Sequence, residues 1–110
     1  VSVLFGPAGN GDAFAKEGHK KSAEAPAFLA RAGLSAYEYQ CGRGVHIGEA
    51  GAREIGEACR QNGITPSLHA PYFINLASSD PARREQGIGY ILSACRAAHW
   101  LGAKRVVVHC

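Results

Sequence analysis

Two histidines, His69 and His109, have the type and setting that most readily do chemistry in this chain of 110 residues. Each closes a short strand-like stretch, "ITPSLH" in one case and "KRVVVH" in the other. Neutral imidazole is a common ligand for zinc and similar cations, so two rings at neighbouring strand ends can share one ion. A single strand-end histidine is more often a hydrogen-bonded structural residue. The matching positions of the two are what favour ligation. Two rings still do not complete a site, because catalytic zinc usually takes three protein ligands and a water. Cys110 follows His109 directly and would point the other way along a strand.

Around this pair lie residues that suit a nucleic-acid ligand. Tyr72 and Phe73 follow His69 in "HAPYFINLASSDP". Exposed aromatics on a rim loop stack on bases or wedge between them. The competing expectation, favoured by spacing alone, is that both pack onto a helix starting at Pro81. Arg43 sits between two glycines in "QCGRGVHI", a setting that suits a phosphate contact and equally a solvated side chain. Arg83 and Arg84 fall in the first turn of that helix, where the macrodipole disfavours cations, so Asp80 and Glu85 are expected to neutralise them. Glu38, two residues before Gln40, shares its strand face and needs a partner, for which Arg105 is the candidate. His19, His46 and His99 carry no spacing signal. The chain has no Ser-His-Asp set, no Walker loop and no paired catalytic carboxylates, so no catalytic side chain is assigned.

Three segments position these residues in the same way. "LARAGLSAYEYQ", "CRQNGITPSLH" and "HWLGAKRVVVH" each run from helix through glycine into a strand with a polar last residue. The glycines, Gly33, Gly63 and Gly102, suit a left-handed helix cap because they lack a Cβ that would clash there. The pattern predicts helices over Ser22 to Ala32, Glu49 to Asn62 and Pro81 to Leu101. Asp80 is a good N-cap for the last, with Pro81 at the first helical position. Ile88, Ile91, Leu92, Cys95 and Ala98 form its expected buried stripe. A first strand, "VSVLF", precedes the loop "GPAGNGD", whose glycines lack dinucleotide-binding spacing.

The resulting β-α-β-α-β-α-β order contains no hairpin signal, which implies right-handed crossovers and a parallel sheet. Gln40, His69 and His109 then fall at strand C-termini, where (β/α)₈ barrels place functional side chains. A whole barrel takes about 250 residues. The expected fold is therefore α/β, with parallel (β/α) units making the first four strands of a TIM barrel and residues 1–110 forming one domain.

Composition narrows the class further. At 46% hydrophobic and 19% charged residues, the chain is ordinary globular protein, and a net charge of +3 is too weak alone to imply nucleic acid. No apolar run is long enough for a membrane span, and no signal pattern opens the chain. Cys41, Cys59, Cys95 and Cys110 show no C-x-x-C pairing, and Cys59 and Cys95 are expected as small buried thiols in helices. A reduced, cytoplasmic protein is expected. Methionine is absent, so the first residue is not expected to be a native start.

From "SLHAPYFINLASSDP" to "LGAKRVVVHC" the chain resembles the endonuclease IV family, metal-dependent abasic-site nucleases of the xylose-isomerase-like barrel superfamily. "FGPAGN" and "YEYQCGRGV" fit its bacterial and archaeal branch. The resemblance covers the first half of the family's barrel. It implies a hydrolase of base excision repair that uses up to three zinc ions to cut the phosphodiester at abasic sites in double-stranded DNA. It also implies that His69 and His109 bind one of these ions, that Tyr72 and Phe73 probe the duplex, and that Arg43 enters it. The family usually has Pro-Gly after the second histidine, where Cys110 stands here, and its remaining ligands come from later strands. The 110-residue chain alone is therefore expected to bind zinc weakly and not to cleave DNA. Two alternatives remain: a sugar isomerase or epimerase of the same superfamily, and a non-enzymatic half-barrel. The last would self-associate through an apolar inner sheet face and open edges.

Overall fold

The computed structural model describes residues 2–110, and the first residue of the expected opening strand lies outside them. Strands β1 (Ala36–Gln40), β2 (Thr65–His69) and β3 (Val106–Val107) form a parallel sheet in the order β1-β2-β3. Gln40 pairs in register with His69, and His69 with Val107. Helices α1 (Asp12–Lys16), α2 (Ala25–Arg31), α3 (Glu49–Asn62) and α4 (Pro81–Leu101) connect and cover these strands.

The expected first strand is not formed among the described residues. The chain meets β1 beyond it, in the Gly-rich loop, through an isolated parallel bridge between Ala8 and Glu38. The Phe5 carbonyl accepts from the amides of both Ser35 and Ala36, a doubling that a regular parallel ladder does not have. Pro7, two residues on, has no N–H to give. Val3, Leu4 and Phe5 stay exposed.

The limits expected for α3 and α4 match those observed. Asp80 caps α4 by accepting from the Ala82 amide at 2.9 Å. Gly63 and Gly102 close the two helices in the left-handed region, at φ of 65° and 75°. The helix expected over Ser22 to Ala32 instead divides into a 3₁₀ turn, Ser22–Glu24, and α2. Pro26 is tolerated only in a first helical turn, so the α-helix begins just before it. The short α1, which buries Phe14, begins at the last residue of the Gly-rich loop and has no counterpart in the expected pattern.

In α4 the buried face keeps only Ala98 of the expected stripe, with Ile91 partly buried. Gly87, Ala94, Ala97, Ala98 and Leu101 are buried, whereas Ile88, Leu92 and Cys95 are exposed. The reason is close packing: small side chains let α4 approach its neighbours more nearly than leucine and isoleucine would. At Gly56 of α3 an added Cβ would stand 2.5 Å from the Leu101 carbonyl oxygen. Ile91 lies at the margin of the core.

The sheet has two unlike faces. Tyr37 and Leu68 are buried toward the helices, at 2% and 1% exposure. Glu38, Gln40, Ser67 and His69 alternate with them and occupy the opposite face. That inner face is mainly polar, not apolar as expected, with Val107 opposite His69 as its exposed apolar residue in β3; further exposed apolar groups lie on α4, on the N-terminal segment and on the loop after β2.

Candidate functional site

The C-terminal ends of β2 and β3 bring the two strand-end histidines together. The ring centroids of His69 and His109 are 4.9 Å apart and their planes 31° from parallel. Parallel pairing causes this. His69 opposes Val107, and His109 lies two residues further along the same face. The Ala70 amide donates to the Val107 carbonyl at 2.9 Å, which extends the pairing past the last ladder residue.

His69 is oriented by its own backbone. Its Nδ1 lies 2.8 Å from the Ala70 carbonyl oxygen. A carbonyl only accepts, so Nδ1 carries the proton and, in the neutral ring, Nε2 keeps its lone pair. Metal-ligating histidines commonly have their other nitrogen fixed in this way. The donor chemistry of the pair therefore fits a divalent cation with two imidazole ligands. Among the described residues, no group of three His, Cys, Asp or Glu side chains is placed to hold one ion.

Tyr72 and Phe73 stand beside the pair. The Tyr72 ring centroid is 6.0 Å from that of His69. Both aromatics are exposed, at 57% and 59%, so the packing expected against α4 is not made by them. Ile74 makes it instead: this side chain is buried, and it and Leu76 lie over Gly87. The loop thus has an apolar anchor that leaves the preceding two rings in solvent.

Arg43 is exposed on the neighbouring loop after β1. The two loops are joined, because the Tyr72 amide donates to the Gly42 carbonyl at 3.2 Å. Hence Arg43, Tyr72, Phe73, His69 and His109 occupy one rim of the sheet. The sequence held no signal for the Ala70 and Gly42 carbonyls that orient this rim, because backbone acceptors leave no trace in residue type.

Deeper on the inner face, Glu38 is satisfied by residues other than Arg105. Gln40 Nε2 donates to one carboxylate oxygen at 3.1 Å and Ser67 Oγ to the other at 3.2 Å. Arg105 makes no bond to Glu38: it stands beside β2, level with Ser67, and β2 lies between it and Glu38. Ser67 was legible as a partner in principle, since the strand register places it across from Glu38. Arg83 lies 3.9 Å from Asp80 as expected, while Arg84 donates to the Ser78 carbonyl and not to Glu85. His19, which lacked a spacing signal, stacks on Phe14 and contacts Glu17 and Glu24 away from this rim.

Comparison with known proteins places the chain in a family. The family model for the xylose isomerase-like TIM barrel matches residues 26–110. A probable endonuclease 4 of Mycoplasmoides gallisepticum is 43% identical over 42 residues, covering 38% of this chain and 14% of that protein. The crystal structure of D-psicose 3-epimerase in the presence of D-fructose superposes with a TM-score of 0.66 at 21% identity. That match covers 79% of this chain and 31% of the epimerase. The chain thus spans less than a third of the length of either relative. At such identity the likeness to the epimerase is one of fold: parallel βα units forming part of a TIM barrel.

Proposed function

Because the chain belongs to the xylose isomerase-like TIM barrel family, we propose that it supplies part of a metal-dependent site acting on abasic DNA. The observation that carries this reading is the His69–His109 pair at 4.9 Å, on one rim with two exposed aromatics. His69 and His109 would hold a divalent cation, with zinc the metal that imidazole ligands suit. Such a cation supplies Lewis-acid polarisation of a phosphoryl oxygen and activation of a water. The chain's own residues bind and orient. Tyr72 and Phe73 offer flat faces to unstacked bases, and Arg43 offers a fork of donors to a phosphate. The short match to the probable endonuclease 4 supports the same reading.

A ketose isomerase or epimerase is the second reading, favoured by the fold shared with D-psicose 3-epimerase and by the polar inner face around Glu38, Gln40 and Ser67. An open aromatic pair has less to do in an enzyme that encloses a small sugar. To separate the two, the purified chain is titrated in zinc with a labelled duplex carrying one abasic site, with an intact duplex, and with D-fructose. We expect preference for the abasic duplex, zinc-dependent shifts of the His69 and His109 ring resonances, and binding without cleavage. Two imidazoles fill only half of a four-coordinate shell, so the ion stays exchangeable. Equal affinity for the two duplexes, or saturable fructose binding, would sink the nuclease reading.

A further inference from the structure

A large cleft lies at the other end of the sheet. Its volume is about 770 Å³, and it opens between the C-terminal halves of α3 and α4 and the starts of β2 and β3. Thr65, in its wall, is four residues from His69, about 13 Å along an extended strand. It is therefore a separate place from the histidine rim.

Its lining is strongly cationic. Arg53, Arg60, Lys104 and Arg105 face one carboxylate, Glu57. This local excess equals the formal net charge of the whole chain, +3, so elsewhere the charges balance. Arg53 is bonded to Glu49 at 2.8 Å, and Arg60 is paired with Glu57. Lys104 and Arg105 form no ion pair with any described residue. Two helix C-termini also face this end, at Gly63 and Gly102. Each contributes roughly half a negative charge, too little to offset the cations. Trp100, the sole tryptophan of the chain, lines the same cleft.

We propose that this cleft is a binding site for a nucleoside polyphosphate, its phosphates held by Lys104 and Arg105 and its base against Trp100. The volume lies within the range of ordinary small-molecule sites, roughly 300–1,000 Å³. Two unpaired cations suit a diphosphate or triphosphate, since charge-assisted bonds to phosphate oxygens are the strong ones. An indole face suits a planar base, with a stacking contact that tolerates any base. The site needs neither metal nor the nuclease reading.

Trp100 makes the test direct, because all tryptophan emission comes from the cleft. The 110-residue chain is titrated with ADP, adenosine, pyrophosphate and a single-stranded oligonucleotide while its fluorescence is followed. ADP is expected to change the emission saturably and to bind at least about tenfold more tightly than adenosine or pyrophosphate alone. The double variant Lys104→Gln, Arg105→Gln is expected to weaken ADP by about tenfold or more with an unchanged circular dichroism spectrum. His69→Ala is expected to leave ADP binding intact, which separates this site from the histidine rim. No response to ADP at millimolar concentration would overturn the proposal. So would equal affinity for adenosine or pyrophosphate, a response to the oligonucleotide alone, or a folded double variant that binds ADP normally.

Discussion

At Tyr72 the sequence left two outcomes open, and the backbone chose between them. A ring 57% exposed has little burial to lose, so Tyr72→Ala should leave the urea midpoint nearly unchanged. The same variant should weaken binding of an abasic duplex by about 1–3 kcal/mol, the usual worth of a base-stacking aromatic. A large loss of stability with unchanged duplex affinity would instead give Tyr72 a packing role. The cysteines differ among themselves for similar reasons. Burial pushes the Cys59 thiol up to about 11 and raises that of Cys41, which keeps both protonated and shielded at neutral pH. Cys95 and Cys110 are exposed. An aromatic disulfide reagent at pH 8 should modify Cys95 and Cys110 quickly, and Cys41 and Cys59 only after unfolding. Rapid modification of all four would contradict the observed burial.

Among the elements, the α3–α4 contact is the most exacting. Gly56 is needed there because a Cβ would meet backbone, the Leu101 carbonyl, and backbone cannot rotate away. Gly56→Ala should cost about 1–3 kcal/mol, the usual range for overpacking, read as a lower denaturation midpoint. Gly89, in the exposed middle of α4, has nothing within 4 Å of the place where its Cβ would stand. There Gly→Ala should stabilise by about 0.5–1 kcal/mol, because alanine loses less backbone freedom on entering a helix. Opposite signs at two glycines of neighbouring helices are the expected result. Equal effects would mean that propensity, and not the close approach, governs both.

On the scale of the whole molecule, two groups of exposed apolar side chains lie away from the histidine rim. Ile88 and Leu92 on α4 are 51% and 61% exposed, and Val3 and Phe5 at the N-terminal segment 76% and 68%. Patches of this kind favour association, and β3 adds a strand edge with no partner in the observed sheet order. Light scattering should show a mass that rises with concentration. Leu92→Lys should lower it without altering the circular dichroism spectrum. A monomer at all concentrations would leave these groups as isolated surface residues of the ordinary sort. No helix among the described residues is long and apolar enough to cross a membrane, so a bilayer-spanning helix does not account for their exposure.

The sequence by itself determined the alternation of helix and parallel strand from β1 to β3, the limits of α3 and α4, and the rim on which the histidines meet. Asp80, Pro81, Gly63 and Gly102 are local signals, each acting through its own backbone, and local signals survive without knowledge of the fold. The pairing of His69 with His109 was legible for a related reason: similar spacing from two caps puts both at or just past strand ends, and parallel strands place like ends together. Tertiary structure decided what depends on distant neighbours. Which stripe of α4 is buried depended on how closely Ala94, Ala97 and Ala98 let it approach. Glu38 took Gln40 and Ser67 as partners, and not Arg105, because those two share its face on its own strand and the adjacent one, while β2 lies between it and Arg105. The exposure of Tyr72 and Phe73 was settled by Ile74, the next residue, which packs over Gly87 and so turns the loop outward. Periodicity tells which residues share a face; only packing tells which face meets another.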